Sequence, residues 1–401
     1  MRAALLAGIA LIAAPVAHAQ TAVNDQYQLR GSTAVTTVET NHARDVGATA
    51  VASGNVVTST TEGGDASLSN TQHMDGDANA TANATVWHAD GNIAVTAAAV
   101  ANGATGTVVN GNADITSQQL AHGDANAATH FTGGDAANAG TSASASGNVG
   151  ALSAENGRAR LIASQDSTGS IGATVEADHC CVAGQAVSGA IASANNLSVG
   201  GDTATILTDT TQTASGHSVD ARVDLYAGYA TDASGNATAN ANALTIDNQW
   251  GYVNARASQT SSANVTANSY VTLGGDFTGF GSAGAYGVGN QANVSNVGSD
   301  TVMDTAQTNS GDIEANAALA GEGAGPALAS SAAYGNTTTG VLCTSCDPNG
   351  EPPTLTATNS QVNSGAVYSS ATVIAPRADT VAATSTAIGN AATYQVRPPG
   401  G

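Results

Sequence analysis

Four consecutive residues, Asp178-His179-Cys180-Cys181, each carry an atom that binds transition metals. A metal centre needs such atoms to converge, and neighbours on an extended strand point to opposite faces, so the four cannot share one ion. Six further histidines (His42, His73, His88, His122, His130 and His217) show no HExxH or paired-ligand spacing and read mostly as solvated strand or turn residues at unrelated phases. Cys343-x-x-Cys346 has a redox spacing but lacks the strand-to-helix setting of a thioredoxin-type dithiol. In an exported chain both cysteine pairs read first as disulfides. Cys343–Cys346 would staple a loop, whereas Cys180 and Cys181 form either a vicinal bond or two thiols. Asp220-x-Arg222-x-Asp224 sets three charges on one strand face, which makes a surface charge ladder rather than the paired acids of a glycosidase. Gly-Gly-Asp recurs at 63–65, 133–135, 200–202 and 274–276, too widely spaced for a calcium-binding nonapeptide roll. No catalytic residue, metal or cofactor follows from these patterns.

The aromatic residues are unevenly placed. Of fourteen, eight lie between 226 and 286: Tyr226, Tyr229, Trp250, Tyr252, Tyr270, Phe277, Phe280 and Tyr286. Rings on a flat polar face suit sugar stacking or a protein partner, so this stretch is the expected binding face. The competing reading puts Phe277 and Phe280 inside a locally wider coil.

What must position these residues is a repeat. Gln72, Gln119, Gln165, Gln212, Gln259, Gln307 and Gln361 recur every 46–48 residues until a last gap of 54, and Gln26 precedes them in phase. Glycine follows four residues later in most units, with Ala263 in its place in the sixth. A second mark, typically Gly-Asn, falls half a period on, at Gly147-Asn148, Gly289-Asn290, Gly335-Asn336 and Gly389-Asn390. The second unit departs from it, with Asn102-Gly103. Segments between the marks alternate small apolar and polar residues, as in Ser218–Leu225, which signals strands, and the marks themselves signal turns. The expected fold is all-β: a parallel β-solenoid (β-helix) of about eight 47-residue repeats, two coils each. Sixteen coils would make a rod of about 75 Å. Each glutamine is expected to point inward over a small residue 24 positions on and to bond backbone there.

Composition fits a narrow core. Ala and Val carry most of the 42% hydrophobic fraction, and large apolar side chains are few. The net charge is −21 and every cation is arginine, without a basic patch, which disfavours nucleic acid. Residues 1–19 have the pattern of a secretory signal peptide ending in Ala17-His18-Ala19. The expected layout is that signal, one solenoid domain over 20–396 with a loop insertion at 343–353, and a flexible tail at 397–401.

In its Gln-x-x-x-Gly and Ala-x-Ala-x-Gly-Asn marks and its lysine-free, Ala/Thr/Asn/Gly-rich composition, the chain resembles holdfast anchor proteins of stalked alphaproteobacteria, of the HfaD type. It is similar in repeat style to curlin subunits, although curlins place Gly two residues after Gln rather than four. The resemblance implies export through a curli-type outer-membrane pore, residence on the outer-membrane surface and anchoring of an adhesive polysaccharide. Other surface anchor proteins and further copies of the chain are the implied partners; no functional residue carries over. Two alternatives are an amyloid-like matrix fibre subunit and a polysaccharide-active β-helix enzyme.

Overall fold

The computed structural model describes residues 20–344 and 352–397. The signal segment 1–19, most of the 343–353 insertion including Cys346, and residues 398–401 lie outside the described residues. The period-two alternation of the sequence becomes strand throughout, and no helix occurs among the described residues. The strands are β1 (Gln20–Gln28), β2 (Ser32–Thr40), β3 (Val46–Met74), β4 (Ala78–His88), β5 (Asn92–Ala121), β6 (Ala125–Ala136), β7 (Asn138–Glu155), β8 (Arg158–Ser167), β9 (Ile171–Asp202) and β10 (Thr205–Ala214). They continue as β11 (Ser218–Gln249), β12 (Val253–Ser261), β13 (Asn264–Phe277), β14 (Gly281–Val297), β15 (Thr301–Asn309), β16 (Ile313–Gly323), β17 (Ala327–Cys343), β18 (Leu355–Asn363), β19 (Val367–Ile374) and β20 (Val381–Arg397).

All pairings are parallel, and they join residues one whole repeat apart. Gln26 pairs with Gln72, Gln72 with Gln119, and Gln307 with Gln361 across the 54-residue gap. Three walls result. The first stacks β1, the ends of β3 and β5, then β8, β10, β12, β15 and β18. The second stacks β2, β4, β6, the starts of β9 and β11, then β13, β16 and β19. The third stacks the starts of β3 and β5, β7, the ends of β9 and β11, then β14, β17 and β20.

The parallel β-solenoid is therefore present, but with one coil per repeat rather than two. The two turns of each unit are corners of a single coil, so its halves face each other across the interior instead of stacking. Eight coils at the usual strand spacing give a rod of about 38 Å, half the expected length. For the same reason the neighbour of each glutamine is the next glutamine, not the residue 24 positions on.

The second mark is also redefined. The ladder skips the residue before each of Asn55, Asn102, Asn148, Asn195, Asn242, Asn290, Asn336 and Asn390. There the third wall bends and consecutive residues turn inward. Either Gly or Ala serves at the skipped position, and the second unit, with Ala101 before Asn102, keeps the mark after all. The constant element is the asparagine.

Both marks meet inside. Each of the seven repeat glutamines donates from Nε2 to Oε1 of the glutamine one coil earlier, at 2.7–2.9 Å. Each also donates to a carbonyl on the facing third wall, such as Gly103, Ala243 or Gln291. Each asparagine from Asn55 to Asn336 donates from Nδ2 to Oδ1 of the asparagine one coil later, at 2.7–2.9 Å, and to a carbonyl of the first wall. These ladders form a polar septum. On one side of it an alanine-rich column packs the second wall against the first part of the third, as Ala80, Ala82 and Ala97 do. On the other, Leu161, Leu197, Ile206 and Leu244 fill the column between the first wall and the rest of the third. A core of two thin columns has room for little beyond Ala and Val, which accounts for the composition.

Candidate functional site

The outer face of the second wall is where charged and aromatic side chains gather. At the start of β11, Val219, Ala221, Val223 and Leu225 point into the core, so Asp220, Arg222, Asp224 and Tyr226 point out. Parallel register then stacks like positions: His130, Glu176, Asp224 and Tyr270 form one column across β6, β9, β11 and β13. Thr132, Asp178, Tyr226 and Thr272 form the next. An open groove of about 390 Å³ lies over them, with His130, Glu176, Asp178, Asp224, Tyr226 and Tyr270 among its lining residues.

Its charges are largely fixed by their neighbours. Arg222 donates from Nε to Asp224 Oδ2 at 2.6 Å and sits 5.8 Å from the centre of the Tyr270 ring. The hydrogen bond to Asp224 raises the pKa of the guanidinium further. His130 Nδ1 is 3.0 Å from Glu176 Oε2, and Ser218 bonds Asp220. Glu176, Asp178, Asp220 and Asp224 outnumber Arg222, so the face is acidic. Two exposed phenol rings among hydroxyl and carboxylate acceptors can stack a sugar and accept its hydroxyl hydrogens.

The other aromatics of the 226–286 stretch do not join this face. Phe277 is buried in the core, and Phe280 is exposed at the corner before β14. Tyr229 lies at the end of the second wall beside Cys181. Trp250 takes φ 59° at the corner before β12, with its ring over Gly298, where a Cβ would come within 2.5 Å of Cε3. Tyr252 is half-buried nearby. Tyr286 is half-buried in the third wall with its ring 5.7 Å from Tyr334, and burial raises its phenol pKa.

Cys180 and Cys181 are two thiols with Sγ atoms 2.7 Å apart. The hydrogen bond that the Cys181 thiol donates to Cys180, together with burial, pushes the Cys181 thiol up to about 11. Alkylation at pH 8 is therefore expected to modify Cys180 well before Cys181, which peptide mapping after a timed iodoacetamide pulse would check. His179 lies inside the core, stacked 4.5 Å from Phe131.

Three groups escaped the sequence reading, one of them Asp135 beside Cys180 and Cys181. His73, Asp75 and His122 come together at the corner between the first and second walls; His42, His88 and Asp90 do so at the far end of the second wall. The histidines are not at unrelated phases. His73 and His122 are 49 residues apart and His42 and His88 are 46 apart, so one coil brings each pair into contact. The sequence signal is His-x-Asp-Gly, at His73–Gly76 and again at His88–Gly91. The His122 hydrogen bond is the main influence holding the Asp75 carboxyl below its usual range.

A family model described as HfaD, holdfast attachment protein D, matches residues 40–312. No curated protein and no solved structure matches the chain.

Proposed function

The chain belongs to the holdfast attachment protein D family, and from that membership we propose that it is an outer-membrane surface anchor for an adhesive polysaccharide. Attachment is the family's role. The observation that carries the finer reading is the groove lined by Tyr226 and Tyr270, diagonal neighbours in adjacent columns of a flat, acidic wall. Its charge favours a neutral or amine-bearing sugar over an acidic one. Export through a curli-type outer-membrane pore and contact with other surface anchor proteins belong to the same proposal. Self-association draws support from the end coils, whose outer strand edges have no pairing among the described residues.

A strain carrying Tyr226→Ala/Tyr270→Ala in place of the native chain is expected to shed adhesive into the medium. The purified variant should bind shed holdfast polysaccharide about 30-fold more weakly, at roughly 1 kcal/mol per ring. Both rings are exposed, so its thermal unfolding should match the parent. Undiminished binding by a folded variant would remove the groove from the reading.

The same unpaired edges favour an amyloid-like fibre subunit as a second reading. Elongation of purified protein from added seeds, with dye binding, distinguishes it from an anchor that stops at small multimers. The third reading, a polysaccharide-active enzyme, gains nothing from Asp220 and Asp224, which are held by Ser218 and Arg222.

A further inference from the structure

The His-x-Asp-Gly corners carry an inference independent of the polysaccharide. At the first, His73 Nε2 is 2.7 Å from Asp75 Oδ1 and 3.0 Å from His122 Nδ1, and His122 Nδ1 is 3.1 Å from the same Asp75 oxygen. Protons alone cannot satisfy that triangle. Both nitrogens must be donors to reach the carboxylate, yet one must be an acceptor for the nitrogens to approach each other. A cation at the centre turns all three contacts into ligand bonds. Donor atoms around tetrahedral zinc lie about 3.3 Å apart, so the triangle needs to open by only a few tenths of an ångström.

The second corner repeats the arrangement from the same coil. His88 Nε2 is 3.1 Å from Asp90 Oδ1, and His42, from the preceding coil, places Nε2 3.6 Å from Asp90 Oδ2. The other nitrogen of His88 faces Asp135 Oδ2 at 3.4 Å. A carboxylate behind a ligating imidazole is the usual outer partner that orients it. Strand geometry explains the motif: residues i and i+2 share a face, so His and Asp project together, and the stacked coil supplies the second imidazole.

We propose that this repeat holds two surface sites for a borderline divalent transition-metal cation of the zinc class, at His73/Asp75/His122 and at His42/His88/Asp90. Two imidazoles and one carboxylate select such an ion over calcium or magnesium, which take oxygen ligands. Three protein ligands leave a coordination position for solvent or for a ligand atom from another molecule, and Asp75 and His122 are both about two-fifths exposed.

The test is calorimetric titration of chelator-treated, full-length secreted protein with zinc chloride, with calcium chloride in parallel. His73→Ala and His88→Ala should each lose one bound ion relative to the parent, and the double variant should lose two. Reading differences from the parent keeps any ion at Asp135/Cys180/Cys181 out of the count. Unchanged circular dichroism and melting of the unloaded variants establishes that they fold. Zinc uptake unaltered in the folded double variant, or equal uptake of calcium at these corners, would overturn the proposal.

Discussion

Gln259→Leu is expected to lower the melting temperature by about 5–10 °C, because it removes three hydrogen bonds inside the septum. Gln259 donates to Gln212 Oε1 at 2.7 Å and to the Gln291 carbonyl at 2.8 Å, and accepts from Gln307 Nε2 at 2.7 Å. Leucine leaves all three partners buried without that bond. At about 1–3 kcal/mol for each stranded group, less what the leucine recovers by burial, the loss is roughly 3–6 kcal/mol. Because each coil contacts only its neighbours, hydrogen exchange should quicken first in the coils of Gln212 and Gln307. Gln26→Leu makes the control, since Gln26 is the half-buried first member and its loss strands fewer partners. Circular dichroism melts check both. Equal, small shifts would mean that the glutamine ladder contributes little.

Acidification from pH 7 to pH 4 is expected to remove about 3 kcal/mol through one residue. His179 is buried, neither ring nitrogen has a hydrogen-bond partner, and burial lowers its pKa from 6.5 to about 4. Between those values the unfolded chain takes up the proton and the folded one does not. Stability from this residue is thus complete above pH 6.5, declines as the pH falls towards 4, and changes no further below that. The fall from 6.5 to about 4 corresponds to the stated energy. Urea midpoints at pH 7 and pH 4.5, measured for the parent and for His179→Leu, isolate the contribution from every other titrating group. The leucine variant should lose much of the acid sensitivity; an identical acid slope in both would contradict the assignment.

The repeat was legible because stacking in register requires like residues at like places, and Gln72 through Gln361 keep that rule. The number of coils was not. A corner and a coil boundary leave the same turn residues, and Gly169 with Asn195 marks two corners of one coil as readily as two coils. Only the partner of each strand decides, and that information lies one repeat away. The site followed the same logic. Tyr226 and Tyr270 were within reach of sequence reading, since Ser218–Leu225 alternates cleanly and leaves Tyr226 outside. Phe277 and Phe280 were not separable, because the pairing shifts between Leu273 and Phe277 and alternation cannot be carried through it. The histidine corners were hidden differently: their ligands meet only when 46 or 49 residues of intervening chain are wound into one coil.

The two amide ladders run in opposite senses. Glutamine side chains donate toward the first coil, asparagine side chains toward the last, and each amide is locked in that sense by the carbonyl its nitrogen also reaches. Their dipoles therefore oppose one another and leave the rod little net axial polarity, yet its two end faces are unlike. One presents the Gln26 amide nitrogen and the Asn55 carbonyl oxygen; the other presents the Gln361 carbonyl oxygen and the Asn390 amide nitrogen. Two copies meeting head to tail continue both ladders, donor to acceptor. Head to head with glutamine over glutamine, each ladder sets like against like. A stack that continues both ladders is thus heterologous, with a direction of growth written into the rotamers of the septum.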